Sequence, residues 1–265
     1  MMKIFKKASA AILILCLSFS SAQAAKKEDT IETILSLGIQ MSNLVNMLET
    51  YALVGLSVSY KTPVERLKNG ITDYDMMLVN LETSFQDKEI QQSVQKIRAS
   101  WKRIRRALYG VLVLTDKNTM KLNSVYINKK LRLAIKELAI MKNFLLKKVK
   151  MRDKALVDAA INIGLSIERL SANYMMKIWE VDDPEIKKYW DKNLNTFSSS
   201  LKVLQGSSFA KDKQFKKYLT KCGKELKYFT VIFGLDMRVP ALVHEKAFQI
   251  VDNSNKMINM ILVKR

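Results

Sequence analysis

The 265-residue sequence contains few of the residues that interrupt or cross-link a chain: 8 Gly, 3 Pro, 2 Cys and 1 His. So few Gly and Pro exclude the frequent turn signals of a β-sandwich or barrel and favour long helices. The only histidine, His244, has no neighbouring partner of the kind that a metal site needs, and we expect it to be structural or at the surface. Neither a Gly-rich phosphate loop nor a nucleophile motif is evident. We therefore expect no enzymatic activity, no metal and no cofactor.

The N-terminus has the pattern of a secretory signal peptide. Three lysines precede the apolar stretch ASAAILILCLSFSS, and the small residues AQA follow at 22–24. The stretch is shorter than the roughly 20 residues of a membrane span, and the residues before Cys16 are not those of a lipidation site. We expect a signal peptide at 1–24, cleavage after Ala24, and a bacterial protein that is periplasmic or secreted. Cys222 would then be the only cysteine, buried as a small hydrophobe and without an intrachain disulfide.

Apolar residues recur at spacings of three and four, which is the period of an α-helix. Each such series forms a seam, a stripe of apolar residues along one helix face, and helices with one seam must bury it against others. Four seams occupy the first half of the sequence: Ile34, Leu37, Met41, Leu44, Leu48 and Tyr51; Leu67, Ile71, Tyr74, Leu78 and Leu81; Ile90, Val94, Ile97, Trp101, Ile104 and Leu108; and Ile127, Leu131, Ala134, Leu138, Met141 and Leu145.

The same four seams return in the same order in the second half, at offsets of 126, 123, 125 and 116 residues. They are Ala160, Ile163, Ile167, Leu170 and Tyr174; Trp190, Leu194, Phe197, Leu201 and Leu204; Phe215, Leu219, Cys222, Leu226, Phe229 and Phe233; and Val243, Ala247, Ile250, Ser254, Met257 and Ile261. KTPVE and DDPEI place a proline near the start of the second helix in both halves, where its missing N–H costs little.

This repetition predicts an all-α protein made of two tandem up-down-up-down four-helix bundles, at 25–150 and 151–265. The boundary lies near KVKMRDK at 148–154. Because no Pro or Gly occurs between Gly110 and Gly164, a continuous helix across the boundary is allowed.

The repeated helix itself is informative. AINIGLSIERLSANYM, with Ile161, Asn162, Ile163, Gly164, Leu170 and Ser171, resembles the first helix of periplasmic sensory domains of the PilJ/NarX type; the first copy, SLGIQMSNLVNML, matches at Leu37, Gly38 and Leu44. That family occurs in type IV pilus chemotaxis transducers and in nitrate or nitrite sensor kinases. The resemblance implies a four-helix bundle in each half and a sensory function.

The sequence departs from the family at the arginines that bind small oxyanions there. Those positions are Ser166 and Glu168 in the second copy and Gln40 and Ser42 in the first, while Arg169 lies one residue away, about 100° around the helix. The departure argues against nitrate and favours a neutral or cationic ligand, or none.

Family members commonly bind ligand where two first helices meet in a dimer, and a tandem chain could form that contact within one molecule. We therefore hypothesise that the helices expected at 31–58 and 155–180 face each other. Small or polar residues off the seams are the candidate ligand-binding residues: Ser36, Gln40 and Asn43 in the first copy, and Asn162, Ser166, Arg169 and Ser171 in the second.

The formal net charge of +20 is concentrated in KRIRR (102–106), KKVKMRDK (147–154) and KDKQFKKYLTKCGKELK (211–227). An exported chain seldom meets nucleic acid, so an anionic membrane surface or an acidic partner is favoured, unless basic composition is simply general in the source organism. The leading hypothesis is an exported sensory-type protein that binds a small molecule or a partner such as a membrane receptor or sensor kinase. The alternative is an envelope structural or adaptor protein.

Overall fold

The computed structural model describes residues 27–113, 116–235 and 237–263. These residues form α-helices and no strand, so the prediction of an all-α protein is confirmed. The helices are α1 (Lys27–Gly55), α2 (Pro63–Ser84), α3 (Lys88–Gly110), α4 (Lys117–Lys148), α5 (Lys154–Ile178), α6 (Glu185–Gln205), α7 (Lys213–Ile232) and α8 (Pro240–Val263), with a short 3-10 helix at Ser208–Lys211. The proposed signal peptide, with Cys16 and the cleavage position Ala24, lies outside the described residues.

The apolar seams form the core of the protein. Every predicted seam residue is buried except Leu194, Leu226 and Phe233, which are partly exposed. Periodicity therefore identified the buried face of all eight helices. Cys222 is fully buried, as expected, and burial raises the pKa of its thiol to about 12.

The helices pack in two closed rings. In the first ring α1 contacts α2 and α4, and α3 contacts the same two helices. In the second ring α5 contacts α6 and α8, and α7 contacts the same two. The principal contact between the rings is formed by α1 and α5, which are the two copies of the repeated helix.

Helix ends follow the local sequence. Pro63 is the first residue of α2, and Pro184 directly precedes α6, so both prolines stand where a missing N–H costs little. Asp212 begins α7 by accepting hydrogen bonds from the backbone N–H of Gln214 (2.8 Å) and of Phe215 (3.0 Å), as an N-cap residue does.

The chain does not run as one helix from α4 into α5. It leaves the helix after Lys148 and resumes at Lys154. Val149 adopts an extended conformation, and its side chain is buried together with that of Met151. Burying these two side chains in the break accounts for a turn that contains neither Pro nor Gly.

Candidate functional site at the contact of α1 and α5

The two repeated helices lie side by side and run in the same direction. Near their N-terminal ends, a Cβ added to Gly38 would lie 3.2 Å from Cγ2 of Ile161. At their C-terminal ends, a Cβ added to Gly55 would lie only 2.0 Å from the ring of Trp179. Glycine at both positions therefore permits the close approach of the helices, as the hypothesis of two facing first helices requires.

Two polar residues meet in the middle of this contact. The Ser42 hydroxyl of α1 donates a hydrogen bond to the Glu168 carboxylate of α5, and these residues are 126 positions apart. That separation equals the offset between the two copies of the helix, so equivalent positions face each other. Ser42 and Glu168 are also two of the positions where the resembling family has arginines.

Glu168 is only 8% exposed. Burial raises the pKa of its carboxyl group to about 7, with a further raising effect from nearby Glu49, against lowering effects from the Ser42 hydrogen bond and from Arg169. The side chain thus changes charge near neutral pH, a property that is concentrated at functional sites.

A second buried carboxylate, that of Glu49 on α1, joins both rings. Its Oε1 accepts a hydrogen bond from Ser171 Oγ of α5 at 2.7 Å and lies 2.9 Å from His244 Nδ1 of α8. Burial alone would raise the pKa of Glu49. The contacts with His244 and Ser171 and the charge of Arg66 outweigh burial and hold that pKa below its ordinary value.

Arg66 of α2 completes this group of side chains. Its Nη1 lies 3.4 Å from His244 Nε2, and its Nη2 donates to Asn46 Oδ1 at 2.8 Å. Because a guanidinium only donates, His244 Nε2 accepts and Nδ1 carries the proton that it donates to Glu49. Asn46, Glu49, Arg66, Ser171 and His244 are named the Glu49 cluster below. It connects α1, α2, α5 and α8.

A cavity of about 340 Å³ lies beside the same contact, on the side flanked by α4 and α6. Arg132 of α4 and Arg169 and Asn173 of α5 line it, together with Tyr189 of α6. The guanidinium carbon of Arg132 lies 3.9 Å from the centroid of the Tyr189 ring, within the range of a cation–π interaction.

The candidate residues of the first copy turn mostly toward their own ring. Gln40 Nε2 donates to Ser36 Oγ at 3.4 Å within α1. Gln40 is buried, and its Oε1 has no hydrogen-bond partner in the described part of the chain. The Asn43 amide lies 3.7 Å from the sulfur of Met77 on α2.

The candidates of the second copy are divided among three environments. Asn162 donates to Asp158 Oδ2 at 3.3 Å within α5, and Ser166 is buried. Ser171 belongs to the Glu49 cluster, and Arg169 lines the cavity. The seven candidates therefore do not surround one common site.

Sequence reasoning missed Glu49, Arg66 and His244 as functional candidates. His244 is buried and paired across the rings rather than isolated. Placing equivalent positions of the two copies opposite each other would have found the contact of Ser42 with Glu168. No local signal in the sequence places His244 beside Glu49, because these residues are 195 positions apart.

No group of three or more His, Cys, Asp or Glu side chains within residues 27–113, 116–235 and 237–263 is arranged to hold a metal ion. The expectation of a chain without metal, cofactor or catalytic activity stays a prediction. None of the helices described combines the length and apolarity that crossing a bilayer requires.

Comparisons with protein-family models, with curated proteins and with solved structures gave no match.

Proposed function

We propose that the chain is an exported sensory-type protein that binds a small ligand or a partner through the contact of α1 and α5. The proposal includes a PilJ/NarX-type origin, with tandem four-helix bundles at 25–150 and 151–265. In this proposal the bound state is passed to a separate receptor or sensor kinase.

The observation that supports this proposal is the pairing of Ser42 with Glu168 at equivalent positions of the two copies. A buried carboxylate at an apolar helix contact costs free energy, which a purely structural contact would avoid with apolar side chains. The group instead stands where the resembling family binds its ligands. The α1–α5 contact would then play the part of the family's dimer contact within one chain.

A thermal-unfolding screen of the full chain against carboxylates, inorganic anions, amines and neutral metabolites tests the proposal. A true ligand should stabilise the protein by RT ln(1 + [L]/Kd). Glu168→Gln and Ser171→Ala should change the apparent affinity because both alter the α1–α5 contact, whereas Glu185→Gln on α6, whose side chain is 45% exposed, should not. The proposal of ligand binding at this contact would be contradicted if no compound raised the unfolding temperature. It would also be contradicted if all three variants kept the same shift as the parent.

The alternative is an envelope adaptor that binds an acidic partner or an anionic membrane surface. One observation favours it: α7 has an exposed row of lysines for which the structure records no acidic partner within its described residues. These are Lys213, Lys216, Lys217, Lys221, Lys224 and Lys227. Each lysine near an anionic membrane contributes about 1 kcal/mol of attraction.

Co-sedimentation with vesicles that contain an anionic lipid tests the alternative. The full chain should bind, and binding should fade as salt is raised because the attraction is screened. A triple Lys→Gln variant at 216, 217 and 221 should lose binding to the vesicles. The matched control replaces Lys102, Arg103 and Arg106 on α3 by Gln and should keep it. If the α7 variant binds the vesicles as well as the parent protein does, the lysine row of α7 is excluded as the binding surface.

A further inference from the structure

The cavity beside the α1–α5 contact is built from both rings. α1 and α5 form its floor, and α4 and α6 form its sides. Its wall includes apolar side chains of α4, among them Leu131, Ile135 and Ala139. Lys136 and Lys192 are exposed at its edge. A volume of about 340 Å³ and a mostly apolar lining with a few polar groups are typical of a small-molecule site.

Two arginines in the cavity are incompletely paired. Nη2 of Arg132 lies 3.4 Å from Asp183 Oδ2, but the buried Nη1 has no hydrogen-bond partner among the described residues. Arg169 is recorded with no hydrogen bond and no ion pair in the same part of the chain. Burial lowers the pKa of Arg169 to about 10, against the raising effects of Glu168 and Tyr189, so it is charged at neutral pH.

Asn173 gives the cavity a third unpaired polar group. Its residue is only 5% exposed and lines the cavity, and no hydrogen bond of its side chain to another described residue is recorded. Its amide is therefore available to a ligand in the cavity. Together with the two guanidinium groups, it offers donors to a single acceptor group inside the cavity.

The Glu49 cluster stands at the equivalent place on the other side of the α1–α5 contact. Under the offset of 116 that relates α4 to α8, His244 corresponds to Asn128. Under the offset of 123 that relates α2 to α6, Arg66 corresponds to Tyr189. Asn128 and Tyr189 both line the cavity, so corresponding positions surround the cluster and the cavity.

The two sides differ in their charges. Glu49, which neutralises the cluster, corresponds under the offset of 126 to the apolar Met175. Arg132 and Arg169, in contrast, correspond to the uncharged Phe248 and Asn43. The cluster thus contains its own carboxylate, while the cavity has gained cations and lacks a carboxylate at the corresponding position.

The charges around the cavity leave a positive excess. Arg132 and Arg169 lie inside it and two lysines lie at its edge, whereas Asp183 is the carboxylate paired with Arg132. Glu168 belongs to the same helix as Arg169, but its carboxylate accepts from Ser42. A guanidinium offers paired donors that match a carboxylate.

We infer that this cavity binds a small organic acid, whose carboxylate is held by Arg169, Arg132 and Asn173 and whose apolar part lies against α4. The inference rests on the proposed function, because it names the ligand class that the sensory-type protein would recognise. The apolar wall favours a carboxylate with a hydrocarbon part over an inorganic anion. The ligand carboxylate would neutralise the arginines of the cavity, as Glu49 neutralises the cluster.

Isothermal titration calorimetry of the full chain with hexanoate and benzoate, at constant ionic strength and pH 7, tests the inference. Hexanamide, the neutral analogue of hexanoate, and inorganic phosphate are the comparison probes. We expect saturable binding of at least one of the two acids. Hexanamide should bind more weakly by about tenfold or more, because hydrogen bonds to charged groups are the stronger ones. Phosphate should also bind more weakly, because it has no hydrocarbon part to lie against the apolar wall of α4.

Two variants assign the binding to the cavity. Arg169→Met removes a partly buried charge that has no ion pair with any described residue, so the free protein should unfold at an equal or higher temperature while acid binding falls by about tenfold or more. Asn173→Asp keeps the side-chain size but places a carboxylate beside the arginines, and should abolish acid binding. Arg105→Met is the matched control, because Arg105 is half exposed and paired with Asp75 away from the cavity. It should bind as the parent does.

Absence of saturable binding by both acids, or equal binding by the parent and Arg169→Met, would overturn the inference. This failure is distinguishable from failure of the proposed function. A ligand from the thermal screen whose effect survives in Arg169→Met and Asn173→Asp but changes in Glu168→Gln would leave the proposed function supported and the cavity excluded. Loss of all binding in the screen would reject both.

Discussion

At the scale of single residues, the polar groups between α1 and α5 differ from those at the surface because they are removed from water. Glu168 and Glu49 both lie in α-helices whose remaining contact residues are largely apolar. Burial raises the pKa of Glu168, whereas partners lower the pKa of Glu49. Two carboxylates on neighbouring helices therefore differ in charge state over an accessible pH range.

Glu168 predicts a loss of stability with rising pH. Its folded-state pKa of about 7 lies above the ordinary 4.5, so between these values the folded protein keeps a proton that the unfolded chain has lost. The stabilisation is complete below about pH 4.5 and is lost as pH rises through about 7, by up to roughly 3 kcal/mol. Urea unfolding from pH 5 to 8 should show this decline in the parent and a smaller decline in Glu168→Gln. If the free energy of unfolding fell equally with pH in the parent and in Glu168→Gln, Glu168 would not be the cause of the decline.

Glu49 predicts the cost of breaking the cluster. Glu49→Ala leaves His244 without the carboxylate that faces its Nδ1 and Ser171 without its acceptor, and breaking a buried pair in this way costs about 3–5 kcal/mol. The loss should appear as a lower urea midpoint at pH 7. Glu185→Ala removes a half-exposed carboxylate whose pairing with Lys188 is at the surface, so it should change the midpoint little. An equal effect of the two substitutions would mean that the cluster does not stabilise the contact of the rings.

The seam residues could be predicted from the sequence because burial of a helix face repeats every three or four positions. The cluster could not. Arg66 and His244 are 178 positions apart, and their contact depends on how α2 and α8 are placed by other helices. The candidate residues Ser171 and Arg169 were chosen because they are polar and lie off the seam of α5, yet they lie on different sides of the contact.

At the scale of the elements, the expected helices at 31–58 and 155–180 correspond to α1 (Lys27–Gly55) and α5 (Lys154–Ile178). Their ends were predicted only approximately, because apolar periodicity gives the face of a helix and not its last turn. The break after Lys148 was left open by the sequence. Neither Pro nor Gly marks it, and burial of Val149 and Met151 determines it.

Glycine positions give a matched test of how closely the helices approach. Gly55→Ala would place a Cβ 2.0 Å from the rigid, buried ring of Trp179, and overpacking of this kind should cost about 3 kcal/mol or more. Gly223→Ala, inside α7, places its Cβ 3.5 Å from Leu201, an ordinary contact, and should stabilise by up to about 1 kcal/mol. Thermal unfolding should separate the two variants in opposite directions; a stable Gly55→Ala would mean that the ends of α1 and α5 lie further apart.

In the molecule as a whole, two similar helices, α1 and α5, pack against each other. The rings are joined mainly through α1 and α5, so a change at this contact alters the relation of one ring to the other. The sequence predicted two copies of a helix pattern and their order. It did not predict that a filled polar cluster and an open basic cavity would flank the contact, because that difference depends on side chains from four other helices.

Disulfide formation between Gly38→Cys and Ile161→Cys, with Cys16 and Cys222 replaced by Ser and Ala, tests whether α1 and α5 pair in parallel within one chain. A Cβ at 38 would lie 3.2 Å from Ile161 Cγ2. The Cβ of residue 161 is one bond further away, which brings the two Cβ atoms near the separation of about 3.5–4.5 Å that a disulfide needs. Gly38→Cys with Asn173→Cys is the control, since position 173 lies about 18 Å further along α5. The first pair should form an intramolecular disulfide on mild oxidation, and the control pair should not. Equal cross-linking of both pairs, or cross-linking only between molecules, would contradict a parallel pairing of the two helices within one chain.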